Sequence, residues 1–574
     1  MRNGGLSQRV WLLGIMISVG LVASGPAAHA TAFDPDRVDK PLGHVTLQIG
    51  EPGSGGGLSV LQIQPPAPDE NLQRGEWKWC QSLDDPTCDF SDPNLDIIGT
   101  MILPVCDSAA SENCVVNLSM SVGNSTSAAI YLGEGPAGIK WPARPSMNFF
   151  KAGSPLLFQL PGFVHGGGAD TYAVIAKAAT KFDFATQRFF TRNISISVVP
   201  YSIIQDARYS LAGAGSGDNN SCIFVGDGFC GVREDFPKAA RVSVELRAPS
   251  EVAGWFMGRI KDPAVSIDPV SQTNNLMRIS AEPAEVARFA LVRDPSTLTL
   301  ADRKAMGNSG SSGSFGGLTI GTAANDETAF GILDYFRSEV GDRASGVNTL
   351  WSIGTLQVPL QGCYADTTKV LGVVATNAMV YNGGAPRFEN GYLSYKVGGL
   401  HYMPNGRDLV IGTYDLLMRS ETARCLYGFS KAPISATVQV IGGAGAEKVA
   451  TTVVSEKEGW VKLAAYGFTF SEKEVRVTIS QRQSMTLSKF KGNSTLLSAT
   501  QASQIRGFAA ASRSNRFAIC SSNYRLSSDK KLAEARAARA CSALKRQLPK
   551  INTQVVTKQV ANKSLEGLTS LFSR

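Results

Sequence analysis

The sequence predicts a multidomain, mainly β protein, built from disulfide-braced antiparallel sheets and sandwich modules, with an α/β domain at its C-terminus. Three observations carry this. Ten cysteines include three identical intervals: Cys80 to Cys88, Cys106 to Cys114 and Cys222 to Cys230 each enclose seven residues. Runs of β-branched and aromatic residues, broken by Gly, Pro, Asn and Asp, fill most of the chain, as in Ile194 to Tyr201 and Val242 to Leu246. Residues 482–574 instead alternate short apolar runs with helical spacing. At 43% hydrophobic and 18% charged, with 58 Gly raising the turn content, the composition is that of a globular protein rather than a disordered one.

The N-terminus reads as an export signal. Arg2 and Arg9 form a positive start, Trp11 to Ala23 is a short apolar stretch, and Ala28-His29-Ala30 offers the small residues of a cleavage site after Ala30. An uncleaved anchor is the alternative, disfavoured by the shortness of the run and by Gly25-Pro26. No later segment has the apolar length for a span, so none is expected after cleavage; the expected location is extracellular or at the cell surface. Removing 30 residues leaves 544, enough for three to five domains at about 100–200 residues each. The expected division is an N-terminal β-rich region (31–295), a linker (296–325) centred on the Gly/Ser stretch Ser309 to Gly317, a central β-rich region with one helix (326–433), a small β-sandwich module (434–481) and the α/β domain (482–574).

Each short cysteine interval holds turn residues, Asp84-Asp85-Pro86 in the first and Gly226-Asp227-Gly228 in the third, so these pairs are expected to staple hairpin tips. Each such bridge is worth roughly 2.5 kcal/mol by chain entropy, and Cys363 to Cys425 about 4. Asp326 to Val340 places Ala329, Phe330, Leu333, Phe336 and Val340 at helical spacing. From Ile434 to Ser480 alternation returns, with turns at Gly442-Gly443 and Glu458-Gly459, and predicts an antiparallel sandwich. The last domain reads β-α-β-α-β. Met485 to Phe490 is its first strand; Ser498 with Gln501 caps a helix carrying Ala502, Ile505 and Ala509; Phe517 to Cys520 is the second strand. Ser528 or Asp529 then starts a helix with Ala533, Ala537, Cys541, Leu544 and Leu548 on one face, and Gln554 to Val560 closes the set. A bridge from Cys520 to Cys541 joins strand to helix.

Charge divides the chain. Residues 482–574 hold 17 Lys and Arg against Asp529, Glu534 and Glu566, a net of +14, so the remainder of a chain at +8 carries −6. A basic domain on an acidic body faces a polyanion. In an exported protein that means phosphate- or carboxylate-bearing anionic wall polymers or anionic lipid headgroups rather than nucleic acid; a solvated basic face with no ligand is the bland alternative.

Within this domain, Asp529-Lys530-Lys531-Leu532-Ala533-Glu534-Ala535-Arg536-Ala537 resembles the N-x-x-L-S-x-x-R-A signature of OmpA-like peptidoglycan-binding domains. The resemblance covers about a sixth of the chain. It implies that Arg536 takes the part of the arginine that grips the stem-peptide diaminopimelate. The family's aspartate after the second strand is replaced within Cys520-Ser521-Ser522-Asn523, and Asp529 stands in place of the signature's asparagine. Arg536 and Asp529 are therefore the ligand-binding candidates. The body is similar to large secreted actinobacterial proteins around Gly254-Trp255-Phe256-Met257-Gly258-Arg259 and Ala423-Arg424-Cys425-Leu426-Tyr427-Gly428, which adds location and no chemistry.

Enzyme and metal signatures are incomplete. His165-Gly166-Gly167-Gly168 resembles an esterase oxyanion loop, but no G-x-S-x-G elbow accompanies it. Asp92-x-Asn94-x-Asp96 opens like a calcium loop, yet Ile97 replaces the glycine and Leu103 the bidentate glutamate. Asp84, Asp85, Asp89, Asp92 and Asp96 remain as oxygen donors in some other geometry. There is no C-x-x-C pair for zinc and no phosphate loop, and no cofactor or metal is expected. Trp255 with Arg259 is either a cation–aromatic pair or core packing. The expected function is a cell-envelope structural or interaction protein tethered through its basic domain. The alternative is a secreted glycan- or ester-directed hydrolase with a wall-binding tail.

Overall fold

The computed structural model describes Phe33 to Ser573 except residues 34–37, 39–40, 42, 52–56, 66–76, 137–138, 208, 211–221, 300–318, 357–361, 366–368, 390–391, 428–433, 443–444, 448–450, 471–472, 482 and 514. The export segment 1–30, the Gly/Ser stretch 309–317 and Gly443 of the expected turn lie outside the described residues.

Strands dominate. A long sheet runs in the spatial order Lys78–Trp79, Val60–Gln64, Asp96–Ile102, Thr171–Asp183, Arg188–Gln205, Gly346–Thr355, Gly254–Pro269, Val370–Thr376, Ile411–Arg419, Trp460–Thr469, Thr451–Lys457. A second sheet pairs Ser125–Ala128, Cys114–Val122, Ala240–Pro249 and Asn274–Arg288 with the far half of Gly254–Pro269. Gly254–Pro269 serves both sheets because its register shifts between Lys261 and Ala264, and such a bulge bends a strand out of one sheet into another. A third sheet contains Val380–Tyr381, Tyr392–Gly398, Lys473–Gln481 and Ile434–Gly442.

The long sheet is covered on both faces where these layers meet. Phe256, Val373, Ala375 and Leu417 pack toward the second sheet, whereas Trp255, Met257, Val374, Leu416 and Met418 pack toward the third. All seven residues of Val370–Thr376 are buried. A strand buried on both faces reads as a continuous apolar run rather than an alternation.

This layering redraws the expected domains. Residues 434–481 hold two antiparallel pairs, Ile434–Gly442 with Lys473–Gln481 and Thr451–Lys457 with Trp460–Thr469, but they do not stand alone: Trp460–Thr469 also joins the long sheet and Lys473–Gln481 also pairs with Tyr392–Gly398. Thr319–Ala323, at the end of the expected linker, is a strand parallel to Val45–Gly50. Residues 195–198 and 256–259 pair with 351–355 across the supposed boundary. Among the described residues, the strands between Val45 and Gln481 share sheets across the expected boundaries, because strand partners are chosen over long sequence distances that local patterning does not report.

The expected helix is Thr328–Arg337, burying Ala329, Phe330, Leu333 and Phe336 together with Ile332. Five bridges brace the chain: Cys80–Cys88, Cys106–Cys114, Cys222–Cys230, Cys363–Cys425 and Cys520–Cys541, with Cα separations of 5.0–5.8 Å. No cysteine is free. Disulfides persist in oxidising compartments, so this framework is that of an extracellular protein. Among the described residues no helix is long and apolar enough to cross a membrane.

Candidate functional site

Residues 483–573 form a four-stranded sheet in the order Gln483–Thr486, Thr569–Ser573, Phe517–Tyr524, Asn552–Gln559, with only the last pair parallel. Two helices, Ala499–Ala511 and Lys530–Gln547, belong to the same unit. The first begins with the capping box that Ser498 and Gln501 predict. Two expectations change. The strand expected to run to Phe490 ends at Thr486, and Thr569–Ser573, not Gln554 to Val560, is the last strand, inserted between the first two. Five residues at the chain's end are too few to show a period.

Helix Lys530–Gln547 turns Ala533, Ala537, Ala540, Cys541 and Leu544 inward, and in the same stripe lies Arg536, 7% exposed. The chain leaving Gln483–Thr486 wraps around it. Arg536 Nε donates to the Ser494 carbonyl at 3.1 Å, Nη2 donates to the Gly492 carbonyl, and the guanidinium lies 5.2 Å from the Phe490 ring centre. Gly492 makes this wrap with φ +49°, a conformation glycine adopts freely. Nη1 faces Gly567, where an added Cβ would come within 3.2 Å. Among the described residues no carboxylate lies within ion-pair distance of Arg536. Burial accordingly pulls its guanidinium below the usual value, with Asp529 opposing from a distance.

Arg536 and Asp529 line one cleft of about 230 Å³, together with Lys489, Phe490, Tyr524 and Glu566. Seven helical residues place Asp529 about 10 Å from Arg536 along the axis. Asp529 begins the helix without capping it through its side chain. Glu566 is engaged by Arg525 Nε at 3.4 Å. The cleft thus presents a buried cation without a contacting anion and a carboxylate two turns away, which suits a ligand bearing both a carboxylate and an ammonium group.

The other candidates are accounted for locally. In the His165 loop, Gly166 N–H donates to Asp235 O, Gly167 N–H to His165 Nδ1 and Gly168 N–H to His165 O, so the three amides are unavailable to an oxyanion. The acidic group is dispersed: Asp84 pairs with Arg144 at 2.8 Å and Asp96 with Lys181 at 2.8 Å, while Asp85, Asp89 and Asp92 accept from backbone amides of their own turns. Arg259 stacks at 4.3 Å on Tyr381 rather than on Trp255, which meets Tyr364 edge-on.

Sequence reasoning missed a charged network at the bulge. Asp262, with φ +50°, meets both Arg241 and Lys462, and its N–H donates to Asp415 Oδ2 at 3.1 Å. Asp415, wholly buried, also accepts from the Tyr466 hydroxyl at 2.5 Å, and burial pushes its carboxyl up to about 6. Asp262-Pro263 inside a strand was the available signal, since proline interrupts a ladder. Without exposure, Asp415 is a fastening rather than a reactive group. No protein-family model matches the chain, and no curated protein matches it.

Proposed function

We propose that this is an exported cell-envelope protein whose basic α/β domain tethers a disulfide-braced β body to peptidoglycan or a related wall polymer. The observation that carries the reading is Arg536: a nearly buried guanidinium, with no contacting carboxylate among the described residues, on the wall of a cleft that also holds Asp529. Burying a cation without a counter-ion is unfavourable, and an incoming carboxylate relieves it. The OmpA-like signature around Arg536 supports the same assignment, with the stem-peptide carboxylate on Arg536 and its ammonium toward Asp529. The domain's +14 charge supports attraction to an anionic envelope at longer range.

Sedimentation of the full chain with purified peptidoglycan tests this. Arg536→Ala is expected to abolish co-sedimentation at moderate salt, and Arg536→Lys to restore little, because an ammonium lacks the planar fork. Attachment driven by net charge alone would instead survive Arg536→Ala and fall away as the Debye length shrinks from about 10 Å at 0.1 M to about 3 Å at 1 M salt. Binding indifferent to both changes would refute the tether.

A further inference from the structure

Trp141, Trp255 and Trp351 are 1% exposed or less, whereas Trp77 and Trp79 are 38% and 55% exposed at the edge of the long sheet. Trp79 lies opposite Gln62, Gln62 opposite Ile98, Ile98 opposite Lys181, and Lys181 opposite Phe190. Residues in direct register project to the same face, so these five side chains form one row across five strands, about 19 Å from end to end. Their neighbours Leu61, Ile97, Phe182 and Phe189 point the other way, into a core cluster. The row is the outer face, and its far end, Phe190, is 40% exposed.

From this row we infer a binding platform for an extended, neutral polysaccharide lying across the strands. Exposed aromatic rings at the two ends offer flat apolar faces to the C–H faces of pyranose rings, and half-buried Ile98 continues that surface between them. The amides of Gln62 and Gln64 make no hydrogen bond to the described residues and are available to sugar hydroxyls. Charge selects the occupant. Lys181 is neutralised by Asp96 at 2.8 Å, so the row has no net charge and suits an uncharged chain, unlike the basic domain. An open row across a sheet face, rather than an enclosed pocket, fits a polymer. The platform is also held in place: Cys80, directly after Trp79, is bridged to Cys88, and its N–H donates to the Leu61 carbonyl at 2.9 Å. A rigid surface loses less entropy on binding. This site is separate from the Arg536 cleft and does not depend on the tether.

Affinity electrophoresis of the full chain through gels containing hydroxyethyl cellulose, xylan or glycol chitin tests it, with carboxymethyl cellulose as the charged control. At least one neutral polymer should retard the protein. Trp79→Ala and Phe190→Ala should each weaken retardation by about tenfold or more, equivalent to about 1.4 kcal/mol. Trp79→Tyr should retain most of it, and Arg536→Ala should leave it unchanged. These probes carry no peptide, so failure of the tether leaves the result intact. No retardation by any neutral polymer, retardation by carboxymethyl cellulose alone, or retardation that survives both alanine changes would overturn the platform. Loss with Trp79→Ala but not with Phe190→Ala would also overturn it, pointing instead to a peptide strand added at the Lys78–Trp79 edge.

Discussion

Arg259 in the β body and Arg536 in the C-terminal domain are both nearly inaccessible, both donate to backbone carbonyls and both lie near an aromatic ring. They differ in one partner. Arg259 meets Glu51 through two bonds of 2.6 and 2.8 Å, and its remaining nitrogen donates to Thr376 O and Ala378 O. Desolvation works against its charge, yet Glu51 holds its guanidinium above the usual value. Arg536 has the carbonyls without the carboxylate, and desolvation prevails. The first is a completed fastening between segments 208 residues apart. The second lies beside a cleft with no carboxylate in contact among the described residues. The same side chain in two burials differs in charge balance because one segment brings a carboxylate and the other only carbonyls.

The largest expected effect breaks the completed pair. Glu51→Gln should lower stability by about 3–5 kcal/mol in denaturant titration, since it leaves a buried guanidinium uncompensated. A loss below about 1 kcal/mol would mean that the carbonyls suffice and that the distinction from Arg536 is false.

The buried acid of the body sharpens the contrast through pH. Asp415 is raised to about 6 in the folded protein from 3.8, so the folded state binds more protons than the unfolded state across that window. Its contribution therefore favours folding at low pH and is lost as pH rises from about 4 through 6, by about 2–3 kcal/mol in total. Asp415→Asn should remove this slope; equal pH dependence of melting temperature in parent and variant would contradict the assignment.

Arg536→Ala is expected to reduce stability by only about 1–2 kcal/mol, the order of two hydrogen bonds, because no carboxylate is orphaned. Its effect on peptidoglycan binding should be far larger. Soluble stem peptide should raise the melting temperature of the parent and not of the variant. Smallest is the solvated pair of Arg144 with Asp84, whose carboxylate is 79% exposed: Asp84→Asn should leave the unfolding midpoint unchanged, separating ion pairs in water from those that fasten the interior.

Legibility followed distance along the chain. The short cysteine loops, the helix at Thr328–Arg337 and the Ser498–Gln501 capping box involve neighbours within a few turns, and local spacing is enough to find them. The antiparallel pairs expected at 434–481 are present, Ile434–Gly442 with Lys473–Gln481 and Thr451–Lys457 with Trp460–Thr469, but alternation could not show that both pairs extend into sheets with Tyr392–Gly398 and Ile411–Arg419. Arg536 was singled out by its motif; that it is buried with Gly492 and Ser494 carbonyls closing over it was not, because the motif says nothing of which distant carbonyls meet it. The exposed row from Trp79 to Phe190 was invisible for the same reason, since its members come from five strands.

By itself, then, the sequence determined the class of most local elements, the oxidising compartment that ten cysteines with three equal short intervals imply, and the concentration of positive charge in residues 482–574, because propensity, turn chemistry and charge are properties of short segments. Only the tertiary structure decided that the described β regions share sheets, that Arg259 has a counter-ion while Arg536 has none among the described residues, and that Trp79 and Phe190 end one exposed row. Those outcomes depend on strand register and on which distant atoms share a desolvated space, and neither is encoded in any window of neighbouring residues.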